Sequence, residues 1–178
     1  LLAQVEAMAS AAASIGEGAD AATSGIGGTL RLSVSEGFGT WFVAEHIPAF
    51  VRQHPQLTID LAASSGFLSP SKREVDIAVM LSRPKAGPVI ARKLSDYTLR
   101  LYASHDYLQE FGCPTAPVEL AQSHRLVGYV PDLIYAPELR YLDEFHPGLI
   151  TRSRSTSINA QHGLIAAGGG IGVLPCFI

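Results

Sequence analysis

The stretch Ser155–Pro175 reads STSINAQHGLIAAGGGIGVLP: a polar turn, a short helix, a glycine turn and an apolar strand, in that order. Ser155, Thr156, Ser157 and Asn159 are residue types that open helices, because their side-chain oxygens accept the free N–H groups of a first turn. Ile158, Leu164, Ile165 and the alanines between them give the helix an apolar face. Gly168, Gly169 and Gly170 end it, and Ile171, Val173 and Leu174 read as a buried strand closed by Pro175. A first turn rich in hydroxyls suits a small polar or anionic ligand. Taken alone, the stretch fits an ordinary capped helix on a sheet better than a binding site.

Composition narrows the classes around this stretch. The chain has 178 residues, enough for one large domain or two small lobes. With 47% apolar and only 16% charged residues, it has material for a sizeable core and too little charge for extensive disorder. A net charge of −3 argues against this segment itself gripping nucleic acid, which calls for a basic face. Cys113 and Cys176 form no close pair, which points weakly to a reducing compartment. No apolar run is long enough to span a bilayer, and the N-terminus lacks the pattern of a signal peptide. No initiating Met precedes Leu1 and no helix closes the final strand, so the sequence is expected to be a fragment at both ends.

Upstream of the opening stretch, strands and helices alternate. Leu1, Val5, Met8, Ala12 and Ile15 follow heptad spacing, which predicts a helix that either pairs with a partner or lies on its own domain. Gly16–Gly28 reads as a flexible linker. Leu30, Leu32 and Val34 predict a strand, followed by a turn over Ser35–Thr40. A helix is expected over Trp41–His54, with Phe42, Ile47, Phe50 and Val51 on its buried face and Pro48 as a kink or early-turn position. Leu57, Ile59 and Leu61 predict a second strand ending at Ser64-Ser65-Gly66. Strand, helix and strand in this order make a right-handed parallel unit, whose ligands bind beyond the carboxyl ends of the strands, where Ser35 and Ser64 fall. Further strands are expected over Val75–Met80, Val89–Leu94, Thr98–Ala103 and Leu126–Val130. Short helices are expected from Ser104 and from Pro117, and an irregular stretch over Asp132–Ile150.

Five pieces then carry a resemblance: Gly28–Ser35 (GTLRLSVS), Ile47-Pro48-Ala49-Phe50 with His54-Pro55, Val75–Val79 (VDIAV), Leu101–Ser104 with Asp106-Tyr107-Leu108, and Ala167–Pro175 (AGGGIGVLP). In order and spacing they resemble the effector-binding domain of LysR-type transcriptional regulators, over essentially the whole chain. The resemblance implies an α/β fold of two Rossmann-like lobes, of the type 2 periplasmic-binding-protein kind, preceded by a dimerising linker helix. It implies a linker over residues 1–27, a first lobe over 28–94 and a second over 95–178. It also implies a small-molecule effector between the lobes, a homodimer or homotetramer, and promoter DNA bound through an N-terminal helix-turn-helix that this sequence lacks. The setting would be the cytoplasm, with no membrane.

The resemblance places effector contacts at Ser35 and Glu36 after the first strand, at Ser64 and Ser65 after the second, and at Ser155, Thr156 and Ser157 at the helix cap. Tyr129 would line the cleft from the second lobe and Phe38 would add an apolar wall. Glu36 departs from what an anion site wants. Unless paired or turned away, its carboxylate repels an acidic effector and suits an amine or a hydroxyl. Read on its own, Glu36 fits a solvated first-turn acid that favours a helix dipole better than a site residue, and Tyr129 is equally a core residue. No cofactor, metal or catalytic residue is expected. The six histidines are scattered without a ligand spacing, Ser, His and Asp stand in no nucleophile-elbow context, and Gly168–Gly172 follows a helix rather than opening one. The other reading of such a two-lobed chain is an extracytoplasmic solute-binding protein of a transporter.

Overall fold

A computed structural model describes residues 26–64, 74–84, 88–146 and 148–178. The helix expected over Leu1–Ile15 and most of the expected linker lie outside them, as do Ser65 and Gly66. Two parallel-rich sheets organise the described residues. In the first, β1 (Gly27–Ser35) lies between β2 (Gln56–Ser64) and β3 (Ile77–Val79), all parallel. In the second, β4 (Leu99–Tyr102), β7 (Ile171–Pro175), β5 (Leu126–Gly128) and β6 (Thr151–Arg154) follow in that spatial order. There β4 runs antiparallel to β7, whereas β5 pairs in parallel with β6 and β7. The result is the two-lobed α/β fold that the sequence predicts.

In the first lobe β1 begins at Gly27, so the last two residues of the expected linker, Gly27 and Gly28, are already in the ladder. Leu32 and Val34 of β1 and Val43 of the following helix form its core, with Phe38, Phe42, Ile47, Leu61 and Ile77 packed against them. Each fully buried side chain of this kind contributes about 1.5–3 kcal/mol. No turn separates β1 from its helix. Ser35 is the cap, and helix α1 starts at once, as an α-turn Glu36–Phe38, a π-turn Gly39–Val43 and an α-helix Ala44–Gln53. The expected turn over Ser35–Thr40 rested on Gly37 and Gly39, but these glycines serve close packing. A Cβ on Gly39 would sit 2.5 Å from Ala63 Cβ and 2.6 Å from Val34 Cγ2, so the absent side chain lets α1 lie on β1 and β2. Phe42, Ile47, Phe50 and Val51 are half-buried rather than buried, and Pro48 stands inside the helix, withholding an N–H from the Ala44 carbonyl.

Downstream, the strand expected over Val75–Met80 is only three residues long. That expected over Val89–Leu94 does not form. These residues have no ladder partner among the described residues, and Ile90 is 96% exposed. Alternating apolar residues cannot make a strand without a neighbour to bond to. Ser104 caps α2 (His105–Phe111) by accepting the Tyr107 N–H, and α3 spans Pro117–Gln122. The stretch from Asp132 to Ile150 is less irregular than expected. It holds two 3₁₀ turns, Pro131–Leu133 and Pro137–Leu139, and helix α4 (Leu142–Phe145).

The second lobe closes on α5 (Ile158–Ala166) and β7. Helix α5 ends in a Schellman motif. Gly169 N–H donates to the Leu164 carbonyl and Gly168 N–H to that of Ile165, with Gly168 at φ +78. The apolar face read from the sequence is real: Ile158 and Ile165 pack with Val127 and Leu174.

Two of the glycines inside helices, Gly39 and Gly163, should respond oppositely to alanine. Gly39→Ala, which collides with Ala63 and Val34, is expected to destabilise by about 1–3 kcal/mol. Gly163→Ala, in α5 with open space around it, is expected to stabilise by about 0.5–1 kcal/mol. Urea unfolding of the two variants measures both.

Candidate effector site

Parallel pairing places the ends of the first-lobe strands together. Ser35 and Ser64 face each other as the last pair of the β1–β2 ladder. From Ser35 the chain enters α1, and the first turns of α1 meet the first turns of α5 from the other lobe. The seam between the lobes is therefore a meeting of two helix starts.

Three polar residues of α1 reach across. Glu36 accepts through Oε1 from the Ser157 hydroxyl at 2.7 Å and from Asn159 Nδ2 at 3.3 Å. Its Oε2 accepts from the Ile158 backbone N–H at 3.1 Å. Asn159 Nδ2 also donates to Thr40 Oγ1 at 3.1 Å, and Asn159 Oδ1 accepts from Trp41 Nε1 at 2.8 Å. The Trp41 ring meets the His162 ring edge-on at 4.9 Å. Beneath this polar row, Gly37 lies so close to Ile158 that a Cβ would stand 3.0 Å from its Cγ2.

The α5 cap is ordered from within as well. Ser157 Oγ accepts the Ala160 N–H at 3.1 Å while its proton goes to Glu36. Ser155 Oγ accepts the Ser157 N–H at 3.1 Å, and the Ser155 carbonyl accepts from the buried Gln161 side chain. Both serines thus spend their oxygens on the turn itself. Thr156, between them, is exposed, and it is the hydroxyl of this turn open to solvent.

An aromatic wall stands beside the polar row. Phe38 meets Phe177 edge-on at 5.7 Å, and Tyr97 also meets Phe177 edge-on, at 5.7 Å. Tyr129, just past β5, packs on Tyr141 with ring centroids 6.0 Å apart. Burial raises the hydroxyl pKa of Tyr97, Tyr129, Tyr135 and Tyr141, and the Glu36 carboxylate raises those of Tyr129 and Tyr135 further. These phenols stay protonated and can donate.

Of the residues marked in the sequence, the structure gathers Glu36, Ser155 and Ser157 in one hydrogen-bonded group, with Thr156 between the two serines. Phe38 joins the wall, Tyr129 stands half-buried on the second lobe, and Ser35 and Ser64 lie together at the strand ends. Ser65 is outside the described residues. The sequence reading missed Thr40 and Trp41, and it took Asn159 for a cap when its side chain bonds across the seam. A spacing could have found them: 36 and 40 lie one helical turn apart, as do 159 and 162. Among the described residues, no group of three or more His, Cys, Asp or Glu could hold a metal ion. Nor is any helix among them long and apolar enough to cross a membrane.

Trp41 and Asn159 should be energetically coupled. A double-mutant cycle with Trp41→Phe and Asn159→Ala is expected to return about 0.5–1.5 kcal/mol of interaction, measured by denaturant unfolding.

Comparison with known proteins fits this geometry. The family described as the LysR substrate binding domain matches residues 23–178. The Mau operon transcriptional activator of Paracoccus denitrificans is 24% identical over 149 residues, 84% of this chain and 48% of that protein. The regulator PtxR of Pseudomonas aeruginosa is 26% identical over 153 residues, 85% of this chain and 49% of that protein. The chain thus spans about half the length of these curated relatives. Among solved structures, the regulatory domain of CrgA, a LysR-type transcriptional regulator from Neisseria meningitidis, superposes with a TM-score of 0.73 at 25% identity. That match covers 85% of this chain and 74% of the CrgA domain. A two-lobed fold, with strand ends of one lobe facing a capped helix of the other, and a family match over nearly its whole length, place this chain in the LysR substrate-binding domain family.

Proposed function

We propose that this chain is the effector-sensing part of a DNA-binding transcription regulator, and that it binds a small polar metabolite in the seam between its lobes. The observation that carries the reading is the meeting of the β1 carboxyl end and the first turn of α1 with the N-terminus of α5. Strand ends and helix starts are where open α/β folds meet small polar ligands. In this reading Ser35, Glu36, Phe38, Ser64, Ser65, Tyr129, Ser155, Thr156 and Ser157 line the site. The whole polypeptide forms a dimer or tetramer, works in the cytoplasm, and meets promoter DNA through a helix-turn-helix outside this sequence. It performs no catalysis.

Effector binding shifts the balance between lobe arrangements and so changes the spacing of the DNA-binding domains. It does so only by the difference in its affinity for the two arrangements. The solute-binding reading has no comparable support, since the relatives named above are regulators of transcription.

Thr156→Val tests the site. It removes one solvent-facing hydroxyl and keeps the shape, so the unfolding free energy should stay within about 0.5 kcal/mol of the parent. The effector response in a promoter–reporter assay should weaken. An unchanged response takes Thr156 out of the site.

A further inference from the structure

Glu36 is a carboxylate bound to the start of a nine-residue helix that belongs to the other lobe. Among the described residues, all of its hydrogen bonds come from that turn: a hydroxyl, a backbone N–H and a side-chain amide. No Lys or Arg among the described residues forms an ion pair with it. A carboxylate without a cation needs another source of positive potential, and the N–H groups of a helix start supply one. The arrangement is that of a carboxylate ligand in an anion site, except that the carboxylate is part of the chain.

We propose that Glu36 is the chain's own occupant of the anion position at the start of α5, that it ties the lobes together there, and that it thereby selects effectors lacking a carboxylate. The word effector rests on the regulator reading above; the occupancy itself does not. A tethered group acts at an effective concentration of order millimolar or more, so a free acid must compete with Glu36 before it can reach the Ser157 hydroxyl and the Ile158 N–H. A neutral or cationic compound faces no such competitor. It can use what the seam leaves open: the exposed Thr156, the aromatic wall of Phe38, Phe177 and Tyr97, and the field of the Glu36 carboxylate. A cation gains from both the aromatic faces and the carboxylate.

The test is chemical rescue on the whole polypeptide, with sodium acetate and acetamide as probes at constant ionic strength. Glu36→Ala should lower the unfolding midpoint by about 3–8 °C. Acetate, which supplies the lost carboxylate, should raise it again in a saturable way, and acetamide should not. The wild-type midpoint should respond to neither probe. Ser157→Ala added to Glu36→Ala should abolish the rescue, because the shortest donor is gone. A wild-type midpoint that rises with acetate as the variant's does, or a variant indifferent to acetate, overturns the proposal. Should Glu36→Ala fail to fold, Glu36→Gln decides, since it keeps the volume and loses the charge. Its midpoint should fall below wild type, and one equal to or above wild type overturns the proposal. Absence of rescue leaves the regulator reading standing, and absence of any promoter response leaves the rescue standing, so the two failures are distinct.

Discussion

A helix that begins where two lobes meet must find acceptors for the N–H groups of its first turn, and this requirement shapes the seam. In α5 the Ala160 N–H goes to Ser157 Oγ and the Ile158 N–H to Glu36. One acceptor is local and the other is borrowed from the opposite lobe. Leaving such a donor buried and unpaired costs about 1–3 kcal/mol, so the lobes have a polar reason to meet here as well as an apolar one. The apolar part is the close passage of Gly37 over Ile158. The second lobe does not complete this helix start without the first.

Much of the fold was legible because periodicity reports burial. The β1–helix–β2 unit, the α5 face of Ile158 and Ile165, and the strand β7 all follow from apolar spacing and from glycine or hydroxyl punctuation. Where the reading failed, the reason lay in partners distant along the chain. Gly37 and Gly39 look like turn residues in isolation, yet they answer to Ile158 in one case and to Val34 and Ala63 in the other. Val89–Leu94 alternates like a strand yet finds no neighbour to pair with among the described residues. The short turns within 131–145 have no period long enough to read.

The site was legible to the level of a cap and a strand end, and not to the level of a bond. Ser157 and Glu36 were both visible as candidates, but 121 residues separate them, and no spacing rule reaches that far. Asn159 was visible only as a residue that favours helix starts. Its amide instead bridges Thr40, Trp41 and Glu36, a role set by which face of α5 meets α1. Capping chemistry identifies the residue types, and tertiary packing decides which of them cap and which cross.

The π-turn in α1 has a consequence for phase. An i→i+5 closure, seen in the Ala44 N–H bonded to the Gly39 carbonyl, holds one residue more than an α-helical turn does. The part of α1 before it carries Glu36 to the second lobe, and the part after it lays Ile47 on the first-lobe core. With 3.6 residues per turn, each residue is worth about 100° of rotation. Deleting one residue between Gly39 and Val43 would give an unbroken α-helix and swing Glu36 about a quarter turn relative to Ile47, off the α5 cap. Insertion and deletion at this one turn would thus act as a rotary adjustment of what the first lobe presents to the second, and would move Phe38 and Gly39 against the core as it turned.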